Sequence, residues 1–125
     1  MEEVNRVSLK NNKTPLHYKT ITWKSYNIVI KQTLSIDEFM NVIHAVFKDC
    51  RVSDSDNIVQ LELIDFSIKT NIISAYANVE LPENLDELYS IVYGTSLYET
   101  IYSNVSKIQV QSIIDSVKLC LSGRW

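Results

Sequence analysis

The alternation of apolar and polar residues over positions 20–31 predicts two short β-strands near the start of the chain. In the stretch TITWKSYNIVIK, Ile21 and Trp23 share one face of the first strand, and isoleucines repeat the pattern in the second. The turn is expected near positions 25–27, although the Asn-Gly pair that favours tight hairpin turns is missing. Because a lone hairpin is marginally stable in water, the pattern requires an apolar layer beneath it.

A spacing of three and four residues between apolar positions predicts a helix over 35–50 with one face on a core. Ser35 and Glu38 form a predicted capping box at its start, where each side chain accepts a hydrogen bond from the other residue's backbone N–H. The polar stretch 51–57 then interrupts the apolar spacing, and we expect it to be an exposed loop.

The segment 58–79 fits two patterns. Val59, Leu61 and Leu63 alternate as in a strand, whereas a helical spacing of apolar residues extends over a longer span. We favour a helix over 58–79, because several turns of consistent spacing outweigh three alternations. Pro82 prevents the helix from continuing.

The remaining apolar stripes predict three further helices, over 83–93, 96–105 and 106–122. Ser106 and Gln109 form a second predicted capping box at the start of the last one. The predicted fold class is therefore α+β, mainly α, with an N-terminal β-hairpin packed on a bundle of four or five helices.

Length and composition predict one domain. The chain has 125 residues, 46% of them hydrophobic and 22% charged, which is an ordinary globular mixture large enough to bury a core. We expect a flexible arm over 1–14 and a single domain over 15–125. The start of the chain lacks the apolar region of a signal peptide, and no apolar run is long enough for a membrane span. Cys50 and Cys120 are expected to be reduced thiols, and their distance in space stays open.

Charge is unevenly distributed along the chain. Residues 1–34 have a net charge of +4 and residues 35–125 a net charge of −7. The basic part could be solvated lysines on a hairpin or a surface for an acidic partner, and we favour the first interpretation. The absence of an arginine cluster and the overall acidity disfavour direct nucleic-acid binding.

Residue types and spacings that support catalysis are scarce. The two histidines lack partners at metal-ligand spacing, and Gly94 and Gly123 are the only glycines, which excludes a glycine-rich phosphate loop. His44 and Cys50 lie six residues apart on one predicted helix, so they project in different directions. We therefore predict no catalytic, cofactor-binding or metal-binding residue and a protein that is not an enzyme.

Tyrosine is the residue that stands out. Tyr89, Tyr93, Tyr98 and Tyr102 lie at the edges of the predicted apolar stripes. A tyrosine ring packs against apolar groups while its hydroxyl contacts water or a partner, and tyrosine is common in protein interfaces. We favour a half-buried structural role for each ring taken singly, but we predict that at least one of the four contacts a partner protein. The hairpin adds Lys24 and Tyr26 as further candidates.

Short motifs are spread from residue 20 to about 118, over nearly the whole predicted domain. They are Trp23-Lys24, Ile28 to Lys31, Glu38-Phe39, Asp65-Phe66, Tyr76-Ala77-Asn78, Leu81-Pro82 and Val92-Tyr93. In this order they resemble a family of small proteins encoded by bacteriophages and prophages of Firmicutes. The predicted architecture is also similar to small phage tail-assembly chaperones, although architecture does not determine function.

The resemblance implies a phage protein that works through protein–protein contacts in the cytoplasm of an infected bacterium or in the virion. The first hypothesis is a chaperone or minor structural component in head or tail assembly, with another phage structural protein as partner. The second is an inhibitor of host defence of the anti-CRISPR kind, which would cover a basic surface of its target. The third is a small-ligand binding protein. We also predict a homo-oligomer, because the hairpin edge can pair with a second copy.

Overall fold

The computed structural model describes residues 17–53, 58–59 and 63–122, which form two antiparallel strand pairs and five helices. The elements are β1 (Tyr18–Trp23), β2 (Tyr26–Lys31), α1 (Ile36–Cys50), β3 (Arg51–Ser53), β4 (Ile58–Val59), α2 (Ile64–Tyr76), α3 (Leu85–Gly94), α4 (Leu97–Tyr102) and α5 (Lys107–Leu121). The predicted α+β, mainly α class with a hairpin followed by helices is confirmed. The arm predicted over 1–14 lies outside the described residues.

The hairpin is formed by β1 and β2, which pair along their whole length and end with Trp23 opposite Tyr26. Lys24 and Ser25 are therefore the turn residues, so the turn lies closer to the N-terminus than the predicted 25–27. Both have positive φ, 46° and 65°, as the central residues of a type I′ hairpin turn do. The strand register places the isoleucines of β2 in the core, and this register determines the position of the turn.

The hairpin turn is a site where a substitution should stabilise the protein. A residue other than glycine in the left-handed region costs about 1–2 kcal/mol, so we expect Ser25→Gly to raise the free energy of unfolding by about 1 kcal/mol. The same change at exposed Ser112 in α5 should instead lower it by about 0.5 kcal/mol through loss of helix propensity. Urea unfolding of both variants measures whether each substitution raises or lowers the free energy of unfolding. If Ser25→Gly is also destabilising, the turn has a different conformation.

Helix α1 begins with the predicted capping box, and both of its hydrogen bonds are present. The Glu38 N–H donates to Ser35 Oγ at 3.2 Å, and the Ser35 N–H donates to Glu38 Oε1 at 3.1 Å. Glu38 also forms an ion pair with Lys31 at the end of β2. The hydrogen bond in this pair lowers the pKa of Glu38 and raises the pKa of Lys31. The cap therefore connects the helix to the hairpin.

The region between α1 and α2 differs from the sequence prediction. Ile58–Val59 forms strand β4, which pairs antiparallel with β3 at Arg51–Ser53. The helix predicted over 58–79 is therefore wrong at its start, because residues 58 and 59 form a strand. The exposed loop predicted over 51–57 is also wrong at its first three residues, which form β3. β-Branched Ile58 and Val59 suit a strand, and cross-strand pairing with β3 favours that conformation over the helix that the longer pattern indicated.

Helix α2 runs from Ile64 to Tyr76, so it also ends before the predicted position 79. Ala77 is extended, with φ −125° and ψ 151°, because the chain there meets the outer edge of β2. The Asn78 N–H donates to the Val29 carbonyl at 3.2 Å, and the Asn78 side-chain oxygen accepts from the Val29 N–H at 2.8 Å. These bonds replace a further turn of helix with a connection to the hairpin.

The three C-terminal helices are close to their predicted positions, although α4 is shorter than the predicted 96–105. The Asn84 side chain caps α3 by accepting from the Glu87 N–H at 3.0 Å. Ser106 Oγ caps α5 by accepting from the Gln109 N–H at 3.2 Å. Side-chain caps thus mark the starts of α3 and α5, whereas Ser96 at the start of α4 makes no side-chain capping bond.

The second predicted capping box is only half formed, because the Gln109 side chain is used elsewhere. Its Oε1 accepts from the Leu34 N–H at 2.8 Å and from the Tyr76 hydroxyl at 2.6 Å, and its Nε2 donates to the Leu34 carbonyl at 3.1 Å. The Ser106 N–H donates to the Gln32 carbonyl at 2.8 Å. The Gln109 amide therefore joins α5, α2 and the segment that precedes α1.

One cluster of buried residues connects the hairpin with all five helices of the described chain. It combines isoleucines of β2 with apolar faces of the helices, which supplies the apolar layer that the hairpin requires. The side chains with no exposed surface include Ile30, Val46, Ile72, Ile73, Tyr76, Ile101, Ile113 and Val117. This core holds α2, α3 and α4 in the positions from which they present the surface described next.

Candidate protein-contact surfaces

Five aromatic rings from three helices form a connected surface, here called the tyrosine row. Within α3 and α4 the tyrosines are four residues apart, so each pair lies on one face of its helix. The ring centroids of Tyr89 and Tyr93 are 4.7 Å apart, and those of Tyr98 and Tyr102 are 5.9 Å apart. Phe66 of α2 contacts the first pair, with centroids 5.5 Å from Tyr89 and 6.0 Å from Tyr93.

Lys69 connects the two halves of the tyrosine row. Its ammonium nitrogen lies 5.0 Å from the ring centroid of Tyr93 and 5.4 Å from that of Tyr98, within cation–π range. The same nitrogen is 3.1 Å from Asp65 Oδ2. The Tyr93 hydroxyl donates to this carboxylate at 2.6 Å. The charges of Asp65 and Lys69 are therefore paired with each other beside the rings.

The pKa values of these groups follow from the same contacts. Partial burial alone would raise the pKa of Asp65, but hydrogen bonds from Tyr93 and Lys69 lower it below its usual value. Burial and the bond to Asp65 raise the pKa of Tyr93. Burial, with smaller contributions from Tyr102 and Asp65, raises the pKa of Tyr98 to about 12. Both phenols therefore keep their protons at neutral pH and can act as hydrogen-bond donors.

Exposure differs between the members of the row. Tyr89 and Tyr93 are 56% and 41% exposed, whereas Tyr98 and Tyr102 are half-buried against the core. The upstream Tyr76 is fully buried and belongs to the core alone. Tyr89 and Tyr93 therefore offer the larger contact area.

The two hairpin candidates, Lys24 and Tyr26, belong to a second group at the hairpin turn. The Tyr26 ring stacks on Trp23 at 6.4 Å, and the Lys24 ammonium lies 5.0 Å from the Trp23 ring. Trp23 Nε1 donates to Ser96 Oγ at 3.1 Å, which fixes the turn against the start of α4. The described aromatic contacts thus divide the six predicted residues into two surfaces.

Sequence reasoning missed three residues that organise the row, namely Asp65, Phe66 and Lys69. Asp65 and Lys69 are four residues apart on α2, a spacing that favours an ion pair. The Asp65-Phe66 motif contains two of these three residues but indicates no contact with the tyrosines. The sequence carried no signal that α2 would place these side chains beside the tyrosines of α3 and α4.

Outside the row, the titratable groups of the described residues form no metal-binding cluster. Among the residues that the structure describes, no group of three or more His, Cys, Asp or Glu side chains is arranged to hold a metal ion. Burial raises the pKa of Cys50, so its thiol stays protonated at neutral pH. His44, in contrast, is exposed on α1, and both Cys50 and Cys120 are free thiols.

Comparisons of the chain with protein-family models, curated proteins and solved structures find no match. Over the described ranges, none of the helices combines the length and apolar character needed to cross a membrane. Fold and surface together define a small α+β protein, mainly helical, with an organised aromatic face.

Proposed function

We propose that this chain is a non-enzymatic bacteriophage protein that acts through protein–protein contacts in virion assembly, as a chaperone or a minor component of the head or tail. The tyrosine row is its contact surface. The proposal rests on one structural observation: the exposed rings of Tyr89 and Tyr93 are held in place by contacts with each other and with Phe66, and Lys69 also contacts Tyr93. The phage origin rests on the sequence motifs alone.

The physical case for contact through the row concerns the cost of binding. Immobilising a side chain at an interface costs about 0.5–1.5 kcal/mol. The rings of Tyr89 and Tyr93 already contact each other and Phe66, so less freedom remains to be lost. Tyrosine is also enriched among residues that dominate binding energy. A partner would therefore gain most from covering these two rings.

The proposed partner is another phage structural protein, in the cytoplasm of the infected host or in the virion. Self-association is part of the proposal. In the described chain β1 pairs only with β2, so its outer edge offers unpaired backbone groups to a second copy. The net charge of −7 over 35–125 favours one alternative, an inhibitor of host defence that covers a basic surface of its target.

The test is capture of a binding partner from infected cells, followed by an affinity measurement with that purified partner. We expect a virion protein to be captured. Tyr89→Ala should weaken its binding by at least about tenfold. Tyr18→Ala is the matched control, because Tyr18 is 57% exposed against 56% for Tyr89 and lies on the hairpin. We expect the control to bind as wild type does.

Equal affinities for wild type and Tyr89→Ala would contradict the role of the tyrosine row. A host nuclease effector as the captured protein would favour the inhibitor and contradict the assembly role. Circular dichroism spectra of both variants establish that the fold is retained.

A further inference from the structure

A groove beside the hairpin turn offers a second binding surface, separate from the tyrosine row. Its volume is about 400 Å³, and it lies between the hairpin, the segment after α2 and the helices α3 and α4. This surface is here called the tip groove. Its apolar lining includes Trp23, Tyr26, Ile28, Leu81, Ile91 and Leu97.

The walls of the tip groove are fixed by hydrogen bonds. Trp23 is held by the bond from its Nε1 to Ser96 Oγ at 3.1 Å. Asn78, which also lines the groove, makes two bonds with Val29 of β2, at 2.8 and 3.2 Å. Ile28 and Leu97 form a buried floor, with 4% and 2% exposure. A preformed apolar groove of this kind binds a side chain with little rearrangement.

An acidic depression adjoins one end of the groove. It has a volume of about 750 Å³, shares Glu80, Leu81 and Ile91 with the groove, and adds Asp86 and Glu87. The ion pairs of the described residues do not involve any of its carboxylates. Lys24 lies over Trp23 but is not among the residues that line the groove. The groove is therefore bordered by carboxylates on the side of Glu80.

The negative charge of this region extends well beyond the depression. Residues 70–106 contain five acidic residues and no Lys, Arg or His. Asp86 and Glu87 lie in the first turn of α3, where the helix dipole favours carboxylates. Glu80 precedes that helix and has no such explanation. The surface is complementary to a positively charged occupant.

We propose that the tip groove binds an extended peptide segment of a partner protein, in which an aliphatic side chain enters the groove and the following Lys or Arg residues lie over Glu80, Asp86 and Glu87. The apolar lining selects the aliphatic side chain, and the carboxylates select the basic residues and the direction of the peptide. The inference rests on the proposed function only in that the partner is a protein.

A fluorescence titration tests this proposal without the natural partner. In a Trp125→Phe background Trp23 is the only tryptophan, so its emission reports occupancy of the groove. The probe is the peptide acetyl-Gly-Ser-Leu-Lys-Arg-Ser-Gly-amide. We expect a saturable change in Trp23 emission below about 1 mM peptide. Added salt should weaken peptide binding, because the charges are exposed and therefore screened.

Two control peptides separate the apolar and the charged contributions. One replaces Lys-Arg with Glu-Glu, and the other replaces Leu with Ser. We expect each to bind at least about tenfold more weakly than the probe. Equal binding of the Glu-Glu peptide would overturn the charge argument, and equal binding of the Ser peptide would overturn the role of the groove.

Matched variants locate the binding site. The double substitution Glu80→Gln with Glu87→Gln should lower the affinity for the probe peptide by at least about fivefold. Glu99→Gln removes a carboxylate from the same acidic stretch on α4, outside the groove lining, and should leave binding unchanged. An unaffected double variant, or no emission change with the probe, would overturn the proposal.

Failure of the tip-groove proposal can be distinguished from failure of the proposed function of the tyrosine row. A failed titration together with Tyr89-dependent partner capture overturns the tip groove alone. A saturable titration together with Tyr89-independent capture overturns the tyrosine row alone.

Discussion

Replacing Tyr76 with alanine should lower the free energy of unfolding by about 3–5 kcal/mol. The Tyr76 ring is fully buried at the end of α2, so truncation removes a large apolar group and leaves a cavity. Its hydroxyl donates to Gln109 Oε1 at 2.6 Å, and that bond is lost as well. Urea unfolding followed by far-ultraviolet circular dichroism measures the effect.

Two comparison variants separate the ring from the hydroxyl of Tyr76. Tyr76→Phe removes only the hydrogen bond, and Gln109 Oε1 keeps its bond from the Leu34 N–H, so we expect a loss of about 1 kcal/mol. Tyr18→Ala truncates a ring that is 57% exposed and should change stability by less than about 0.5 kcal/mol. A loss below about 1.5 kcal/mol for Tyr76→Ala would show that the ring is not enclosed as described.

Gln109→Ala should lower the free energy of unfolding by about 3 kcal/mol. The side-chain amide bonds both the N–H and the carbonyl of Leu34 and also accepts from Tyr76. Its removal leaves three polar groups without their partner, and each such group costs about 1–3 kcal/mol when it stays unsatisfied. The Ser106 cap survives, because it uses the Gln109 backbone.

Gln111→Ala provides the matched control for Gln109→Ala. Gln111 lies on the same helix, is exposed, and bonds only Asp115 among the described side-chain partners, at 2.9 Å. We expect the free energy of unfolding of the Gln111→Ala variant to stay within about 0.5 kcal/mol of the wild-type value. The effects of Tyr76→Phe and Gln109→Ala should also be non-additive, because the two side chains share a hydrogen bond. Equal losses for Gln109→Ala and Gln111→Ala would contradict the role of Gln109 in joining the three segments.

The two capping motifs show how far local patterns predict this structure. Ser35 with Glu38 and Ser106 with Gln109 have the same spacing, and the first forms both of its hydrogen bonds. In the second, the glutamine side chain bonds Leu34, which is 75 residues away in the sequence. Local chemistry therefore predicted where α1 and α5 begin, whereas tertiary contacts determined the bonding partners of the Gln109 side chain.

The end of α2 has a similar explanation. Apolar spacing correctly predicted a helix there, but it could not reveal that Asn78 would bond Val29, which is 49 residues away in the sequence. At the contact surface, the four-residue spacing of the tyrosines predicted pairs on one helix face. It could not predict that Phe66 and Lys69 would join these pairs, because that arrangement depends on how α2 packs beside α3 and α4.

The structure thus presents two surfaces of different chemistry. The tyrosine row offers ring faces beside the paired charges of Asp65 and Lys69. The tip groove offers an apolar volume bordered by carboxylates that form no ion pair with other described residues. Together they would allow one partner to be contacted at two places, which raises affinity beyond that of either contact if the geometry permits both.

The central claim is that this protein works by presenting the tyrosine row to another protein. Amide NMR spectra recorded with and without the purified partner test it most directly. We predict that resonances of α3 and α4 around Tyr89 and Tyr98 shift or broaden, while those of Tyr76 and Gln109 in the core stay in place. Shifts confined to the exposed face of α1, with the row unaffected, would contradict the claim.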